Sequence, residues 1–246
     1  MTNDRSHTPG EHGTVLPVTT RRPENSTQDR IHLAALRLFS RRGYAGTGIR
    51  DLADEAGLSP ASLYNHIGSK EDLLTRIMRE GNDRLEQTVR AALANVTRPE
   101  DRLGILTQVH VFVHASFRQE CRVIDAEFRS LTGDHRAAVL EQRDAYERLW
   151  SQALEDGAAA GTLTVDDLRV TRLALLSMCT GVAHWFRPEG PNDAFELSRR
   201  HVDLTLRSTR ATRGRRALQA TDLPLVDRTW LDLALPDQPD RLADAS

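Results

Sequence analysis

The sequence predicts an all-α protein, and three observations carry that prediction. Apolar residues recur at helical spacing along most of the 246 residues, beginning with Ile31, Ala34, Ala35, Leu38 and Phe39. Alanine, leucine, arginine and glutamate recur at that spacing while aromatic residues make up only 5% of the chain, a composition of good helix formers. No run of alternating β-branched residues offers a strand. The length exceeds a small helical module several-fold, so more than one domain is expected.

Residues 1–25 are polar, rich in Thr, Pro, Gly and His and without apolar period, which predicts a disordered N-terminal arm. Arg21 and Arg22 at its end suit a basic arm or a solvated tail. A first amphipathic helix opens near residue 26. The stretch 48–67 then reads as two short helices joined by a glycine turn. Ile49, Leu52, Ala53 and Ala56 form the first stripe, and Gly57 ends it in a left-handed conformation. Ser59 is a natural N-cap, and Pro60 fits the first helical position, where its missing N–H costs nothing. Leu63 and Ile67, four apart, face inward. Ala61, Ser62, Tyr64, Asn65 and His66 are left on the other faces, a set of side chains suited to a DNA groove. Gly68 stops this helix and Ser69 caps the next, with Glu71 and Asp72 at the positive end of its dipole. Three helix boundaries within about two dozen residues are what a helix-turn-helix requires.

A long helix over 69–95 follows as a connector and breaks near Pro99. The helix over 99–117 is apolar on nearly every face, which places it in the middle of a bundle. Further helices are expected over 120–131 and 134–156, with Gly157 and Gly161 marking a loop. Two last helices cover 165–186 and 192–208. The domains are therefore a 26–80 DNA-binding unit, an 81–210 helical unit to which the family resemblance given below assigns ligand binding and dimerisation, and a 211–246 extension, partly disordered. Trp230 would dock that extension on the body or leave it mobile; the sequence supports either.

Formal net charge is −2, unusual for a nucleic-acid binder, but its distribution is uneven. Residues 21–70 hold eight basic against five acidic side chains. Phosphate contact by these cations provides affinity without sequence information. Cys121 and Cys179 lie in apolar helical settings without zinc-ligand spacing, so they read as reduced core residues of a cytoplasmic protein. No apolar run approaches the ~20 residues of a membrane span, and no signal-peptide core opens the chain. His110 and His114 have the spacing of two metal ligands, yet nothing completes a site. No nucleophile elbow, phosphate loop or paired catalytic carboxylates suggest an enzyme, and no cofactor motif is present.

The opening helix, then Arg42-Gly43-Tyr44, then the pattern from Thr47 through Ile49-Arg50-Asp51-Leu52-Ala53, Ala56-Gly57-Leu58-Ser59, Ser62-Leu63-Tyr64 and His66-Ile67 to Ser69-Lys70-Glu71 and Leu73-Leu74 resembles the TetR family of bacterial repressors. The likeness covers roughly residues 26–80. It departs at Ile67, near which the family usually carries an aromatic. The resemblance implies a homodimer that binds a palindromic double-stranded operator and is released by a small-molecule effector. DNA contacts would come from Thr47, Arg50, Ser59, Pro60, Ala61, Ser62, Tyr64, Asn65, His66 and Lys70. The dimer seam would involve Leu173, Ser177, Gly181, His184, His201 and Leu204. Aromatic or polar groups on apolar stripes, His110, Phe112, His114, Phe117, Phe128, Tyr146 and Trp150, are the cavity candidates.

The segment His184-Trp185-Phe186-Arg187-Pro188-Glu189-Gly190, with Glu141, Arg143, Asp144, Tyr146 and Trp150 upstream, resembles the regulators in this family that respond to acyl-coenzyme A thioesters, as of lipid or steroid catabolism. Arg187 would then pair with a coenzyme A phosphate, and Trp185 would stack on adenine or fill the dimer seam. The competing readings are a constitutive DNA-binding regulator or activator without inducer, and an enzyme using the apolar cavity. The expected location is the cytoplasm, with the nucleoid.

Overall fold

The computed structural model describes residues 26–236; the N-terminal arm with Arg21 and Arg22, and the last ten residues, lie outside the described residues. Helix α1 (Thr27–Arg42) is held at its start by a capping box between Ser26 and Asp29 and stops at Gly43. The helix-turn-helix is α2 (Ile49–Glu55) and α3 (Pro60–Ile67), and α4 (Lys70–Ala92) continues from the Ser69 cap. Gly57 and Gly68 take φ of +65° and +69° at the two turns, a region that side chains with a Cβ rarely adopt. The notch between α2 and α3 is thus set by glycine, with Ser59 Oγ accepting the Ser62 N–H at 3.1 Å.

The rest of the chain forms α5 (Pro99–Ser116), α6 (Arg118–Glu127), a 3₁₀ turn at Phe128–Ser130, α7 (Gly133–Ala159), α8 (Leu168–Thr180), α9 (Val182–Trp185) and α10 (Ala194–Ser208). Two differences from the sequence expectation have local causes. Helix α7 runs through Gly157 and stops at Gly161, which takes φ of +66°, while Gly157 leaves the space into which Leu163 folds back, where a Cβ would collide with it. The expected 165–186 helix breaks at Gly181, dividing α8 from the single turn of α9.

Two apolar cores result. One joins Ile31, Phe39, Leu52 and Leu63 to Leu74, Ile77 and Met78 of α4, with Val123, Ile124 and Val139 closing it from α6 and α7. The other surrounds α5, whose Leu106, Val109, Phe112 and Val113 meet Leu85 and Val89 of α4 and the later helices. Burial of α5 on all sides follows from its lack of a polar face. Helix α4 therefore belongs to both cores, changing over between Met78 and Leu85.

Beyond Thr209 the chain turns through a two-residue antiparallel hairpin, β1 (Thr212–Arg213) and β2 (Arg216–Ala217), a small exception to the all-α expectation. A 3₁₀ turn and α11 (Arg228–Ala234) follow. Of the two readings of this extension, residues 211–236 take the docked one. Leu218, Leu223, Leu231 and Leu235 are buried in the second core, and Leu223 sits where a Cβ on Gly104 of α5 would clash. Buried Gln108 donates to the Val226 carbonyl at 2.8 Å and accepts the Val226 N–H at 3.0 Å. Arg213 bridges Asp101 and Glu100 at 2.7 and 3.1 Å.

Candidate functional site

Two regions carry the polar chemistry: the outer face of the helix-turn-helix and a cavity beside α5. On α3, Leu63 and Ile67 are buried, while Ala61, Tyr64, Asn65 and His66 stand exposed. Tyr64 is the most prominent, 49% exposed. Ser59 and Pro60 lie exposed at its start. Arg50 projects from α2 and makes no ion pair among the described residues, unlike its neighbours. Arg42 and Arg37 reach Asp51 and Glu55, each at 3.4 Å, surface pairs worth little in themselves.

Two members of the expected DNA-contacting set do something else. Thr47 is buried, and its hydroxyl donates to the Gly43 carbonyl at 2.8 Å; its side chain closes the α1–α2 turn instead of facing a groove. Lys70 donates to the carbonyls of Tyr44 and Thr47 at 2.9 and 2.8 Å, and its ammonium lies 4.2 Å from the Tyr44 ring centre. Two of its three donors are thus occupied within the chain, so Lys70 is first a clamp on that turn. Its expected role as a simple phosphate contact is corrected accordingly.

The cavity, about 110 Å³, lies between α4, α5, α6, α7 and α8. Leu85, Val113, Ile124 and Leu176 supply carbon surface. His110 and His114 stack with ring centres 4.1 Å apart. His110 hydrogen-bonds Tyr146 Oη at 3.0 Å and Thr180 Oγ1 at 3.1 Å, using both ring nitrogens, while His114 Nδ1 donates to the His110 carbonyl. That wiring explains the pair without a metal. Burial, with its histidine neighbour adding to it, holds His110 well below the ordinary histidine range, and burial brings His114 down to about 4.

Charged groups form the other wall. Arg84 of α4 pairs with Glu120 of α6. Burial alone would raise the Glu120 carboxyl, but Arg84 and His32 outweigh it and hold the group at about 2. His32 Nε2 of α1 stands 3.5 Å from Glu120 Oε1, so the cavity wall touches the first helix directly. Asp125 pairs with Arg143 at 3.3 Å and lies 4.0 Å from His184 of α9. Its carboxyl is raised by burial, with Arg143 offsetting part of that shift.

Known proteins share this architecture. The profile described as "Bacterial regulatory proteins, tetR family" matches residues 31–77, and "Tetracyclin repressor-like, C-terminal domain" matches residues 96–209. A bacterial regulatory protein in the tetR family from Rhodococcus RHA1 superposes with a TM-score of 0.71 at 30% identity, covering 77% of this chain and 100% of that one. The chain belongs to the TetR family. This TetR-family chain is a DNA-binding transcriptional regulator. It is 25% identical to the HTH-type transcriptional repressor KstR2 of Mycolicibacterium smegmatis over 78% of its own length and 94% of that protein. AibR, whose structure is in complex with isovaleryl coenzyme A and operator DNA, matches at 27% identity with a TM-score of 0.67, covering 73% of this chain and 97% of AibR. The hairpin and α11 lie beyond the family-matched residues.

Within this TetR-family chain the cavity takes up three of the expected ligand residues, His110, His114 and Tyr146. Phe112 and Trp150 are core, with Trp150 set edge-on to His110. Phe117 lies under the Arg84 guanidinium, and Phe128 is flanked by Arg136 and Arg143; both rings bind cations of the chain. Trp185 and Arg187 are exposed, away from the cavity lining, and Trp185 stacks near His201 at 6.0 Å. The sequence reading missed Arg84, Glu120, Asp125 and Gln142. Their signal exists only across helices, in pairs such as Arg84 with Glu120, 36 positions apart.

Of the expected dimer residues, Leu173, Ser177, His184 and Leu204 are exposed and Gly181 half-buried, on α8, α9 and α10. Val170 and Trp185 extend the same apolar surface, 63% and 55% exposed. His201 differs, being buried with Nδ1 donating to the Leu197 carbonyl at 2.9 Å; it supports Trp185 from beneath. Among the described residues no helix is long and apolar enough to cross a membrane.

Proposed function

We propose that this regulator is a homodimeric repressor that grips a palindromic operator through Arg50 and the exposed face of α3, and releases it when a small acyl-coenzyme A fills the cavity. The observation that carries this reading is the contact between the cavity wall and the DNA-binding end. Glu120 meets Arg84 on one side and His32 of α1 on the other, and α4 itself runs from the cavity to Lys70. A ligand that favours a different α4–α6 spacing disfavours the DNA-bound arrangement by its differential affinity.

Two-fold pairing through the apolar surface of α8, α9 and α10 supports the palindrome, since two recognition helices about one DNA turn apart read paired half-sites. The AibR complex with isovaleryl coenzyme A supports the ligand class. Cavity size favours a short acyl group over a steroid ring system: ~150 Å³ accommodates benzene, and the partly open space here is about 110 Å³. Trp185 and Arg187, outside the cavity, would serve the coenzyme portion or the dimer seam.

The test is selection of a binding sequence from random duplexes, followed by titration with acyl-coenzyme A esters of increasing chain length. The expected outcome is a two-fold symmetric site bound by a dimer in sedimentation, with affinity falling at least tenfold on addition of a short ester. Affinity indifferent to every ester would support constitutive binding instead. Hydrolysis of a bound thioester would point to catalysis.

A further inference from the structure

Among the described residues, eleven buried side-chain polar atoms lack a hydrogen-bond partner, and five are carried by residues that line this one cavity. That clustering marks the cavity as built for polar contents. Glu120 Oε1 is the ambiguous member, since it faces His32 at 3.5 Å, whereas Asp125 Oδ2 stands 4.0 Å from His184 Nε2, beyond hydrogen-bond reach. The other four are two donors, Arg84 Nε and Asn82 Nδ2, and two acceptors, Asp125 Oδ2 and Gln142 Oε1. The Gln142 amide is oriented by its own bond, Nε2 donating to Asp83 Oδ1 at 2.6 Å, which leaves its oxygen as the unpaired end.

The charges of the wall are already matched. Arg84 answers Glu120, Arg143 answers Asp125, and Arg172 answers Glu147 at 3.3 Å. An anionic ligand group would meet Glu120 and Asp125 with no cation left to neutralise it; a cationic one would meet Arg84 and Arg143. Water between such groups makes their hydrogen bonds, and a hydrocarbon chain that displaces it leaves them unmade. A hydroxyl donates and accepts at once, and a carbonyl accepts.

Resting on the reading of this cavity as the effector site, we propose that the effector's buried end is an uncharged, hydroxylated acyl group of about four carbons. Its carbonyl accepts from Arg84 Nε and Asn82 Nδ2. Its hydroxyl donates to Asp125 Oδ2 or Gln142 Oε1, and its carbons lie against Leu85, Val113 and Leu176.

The test is calorimetric titration of the full chain with butyryl-, 3-hydroxybutyryl- and succinyl-coenzyme A, and with the N-acetylcysteamine thioesters of butyrate and 3-hydroxybutyrate. The hydroxylated member is expected to bind at least tenfold tighter than the plain one in whichever carrier series binds, with the succinyl ester weaker than both. Gln142→Leu should narrow the gap to less than threefold, and the wild-type pair decides the matter if that variant folds poorly. Equal or reversed preference, tighter binding of the succinyl ester, or no binding by any of the five overturns the proposal. The coenzyme A reading fails separately, if the coenzyme A esters bind no tighter than the N-acetylcysteamine ones.

Discussion

On α3 the side chains of Ser62, Asn65 and His66 make no hydrogen bond within the described chain, whereas around the cavity Arg84, Glu120, Asp125 and Arg143 are drawn into pairs between helices. The first arrangement leaves capacity for an outside partner and contributes little to folding. The second binds α4 to α6 and α6 to α7, so it contributes to stability and to ligand recognition together. Substitutions at the two ends should therefore separate cleanly into those that change DNA binding alone and those that change the fold.

The largest effect is expected at the buried pair. Arg84→Met leaves Glu120 without its main counter-charge and should cost about 3–5 kcal/mol in denaturant unfolding. The double change with Glu120→Leu should recover most of that loss. If Arg84→Met unfolds like the parent chain, the pair is not structural and the contrast collapses.

Acid comes next. His110 and His114 are neutral in the fold, and unfolding frees them to protonate below the ordinary histidine value of 6.5. Their folded values are lowered, so the unfolded state binds more protons in that window. Stability falls as pH drops from about 6.5 toward about 4. For His114 the loss should be about 2 kcal/mol by pH 5, at about 1.4 kcal/mol per unit. Glu120 works in the same sense at lower pH, its lowered value contributing stability above 4.5 that is lost as pH falls toward about 2. Melting at pH 7 and pH 5 checks this, and His114→Asn should flatten the difference.

A smaller loss belongs to the extension. Gln108→Leu strands the Val226 N–H and carbonyl and should cost about 1–2 kcal/mol, read as a lower unfolding midpoint with DNA affinity retained. Smallest for stability is Arg50→Ala, expected to leave melting unchanged while lowering the slope of log affinity against log salt by about 1. Lys70→Met should lower melting as well, because it also releases the α1–α2 turn. A Lys70 variant that altered only the salt slope would restore its simple phosphate role.

The DNA-binding end was legible because its signals are local. Gly57, Ser59-Pro60 and Gly68-Ser69 each set a boundary through their own backbone preferences, and Leu63 and Ile67 had one side to hide on. Thr47 and Lys70 were misread for the converse reason. Lys70 reaches carbonyls 26 and 23 positions earlier, a distance no spacing rule spans. The cavity was harder again. Helix α5 is apolar all round, so nothing in its pattern says which side faces space, and Phe112 and Trp150 went to packing while His110 and His114 did not. The acids and arginines that complete the wall look like an ordinary solvated face until α4, α6 and α7 are brought together.

Gly81 stands on α4 between the residues of one core and those of the other, pressed against Ile124 of α6. Mechanically, that makes the helix a lever with its fulcrum at a residue that has no side chain to jam. Eleven positions separate Gly81 from Lys70, about 16 Å of helix. A tilt of about 5° at the fulcrum would carry the Lys70 end through roughly 1.4 Å over that arm. Because the Lys70 ammonium is fastened to Tyr44 and Thr47, the stroke would be delivered to the joint between α1 and α2, at the base of the reading head.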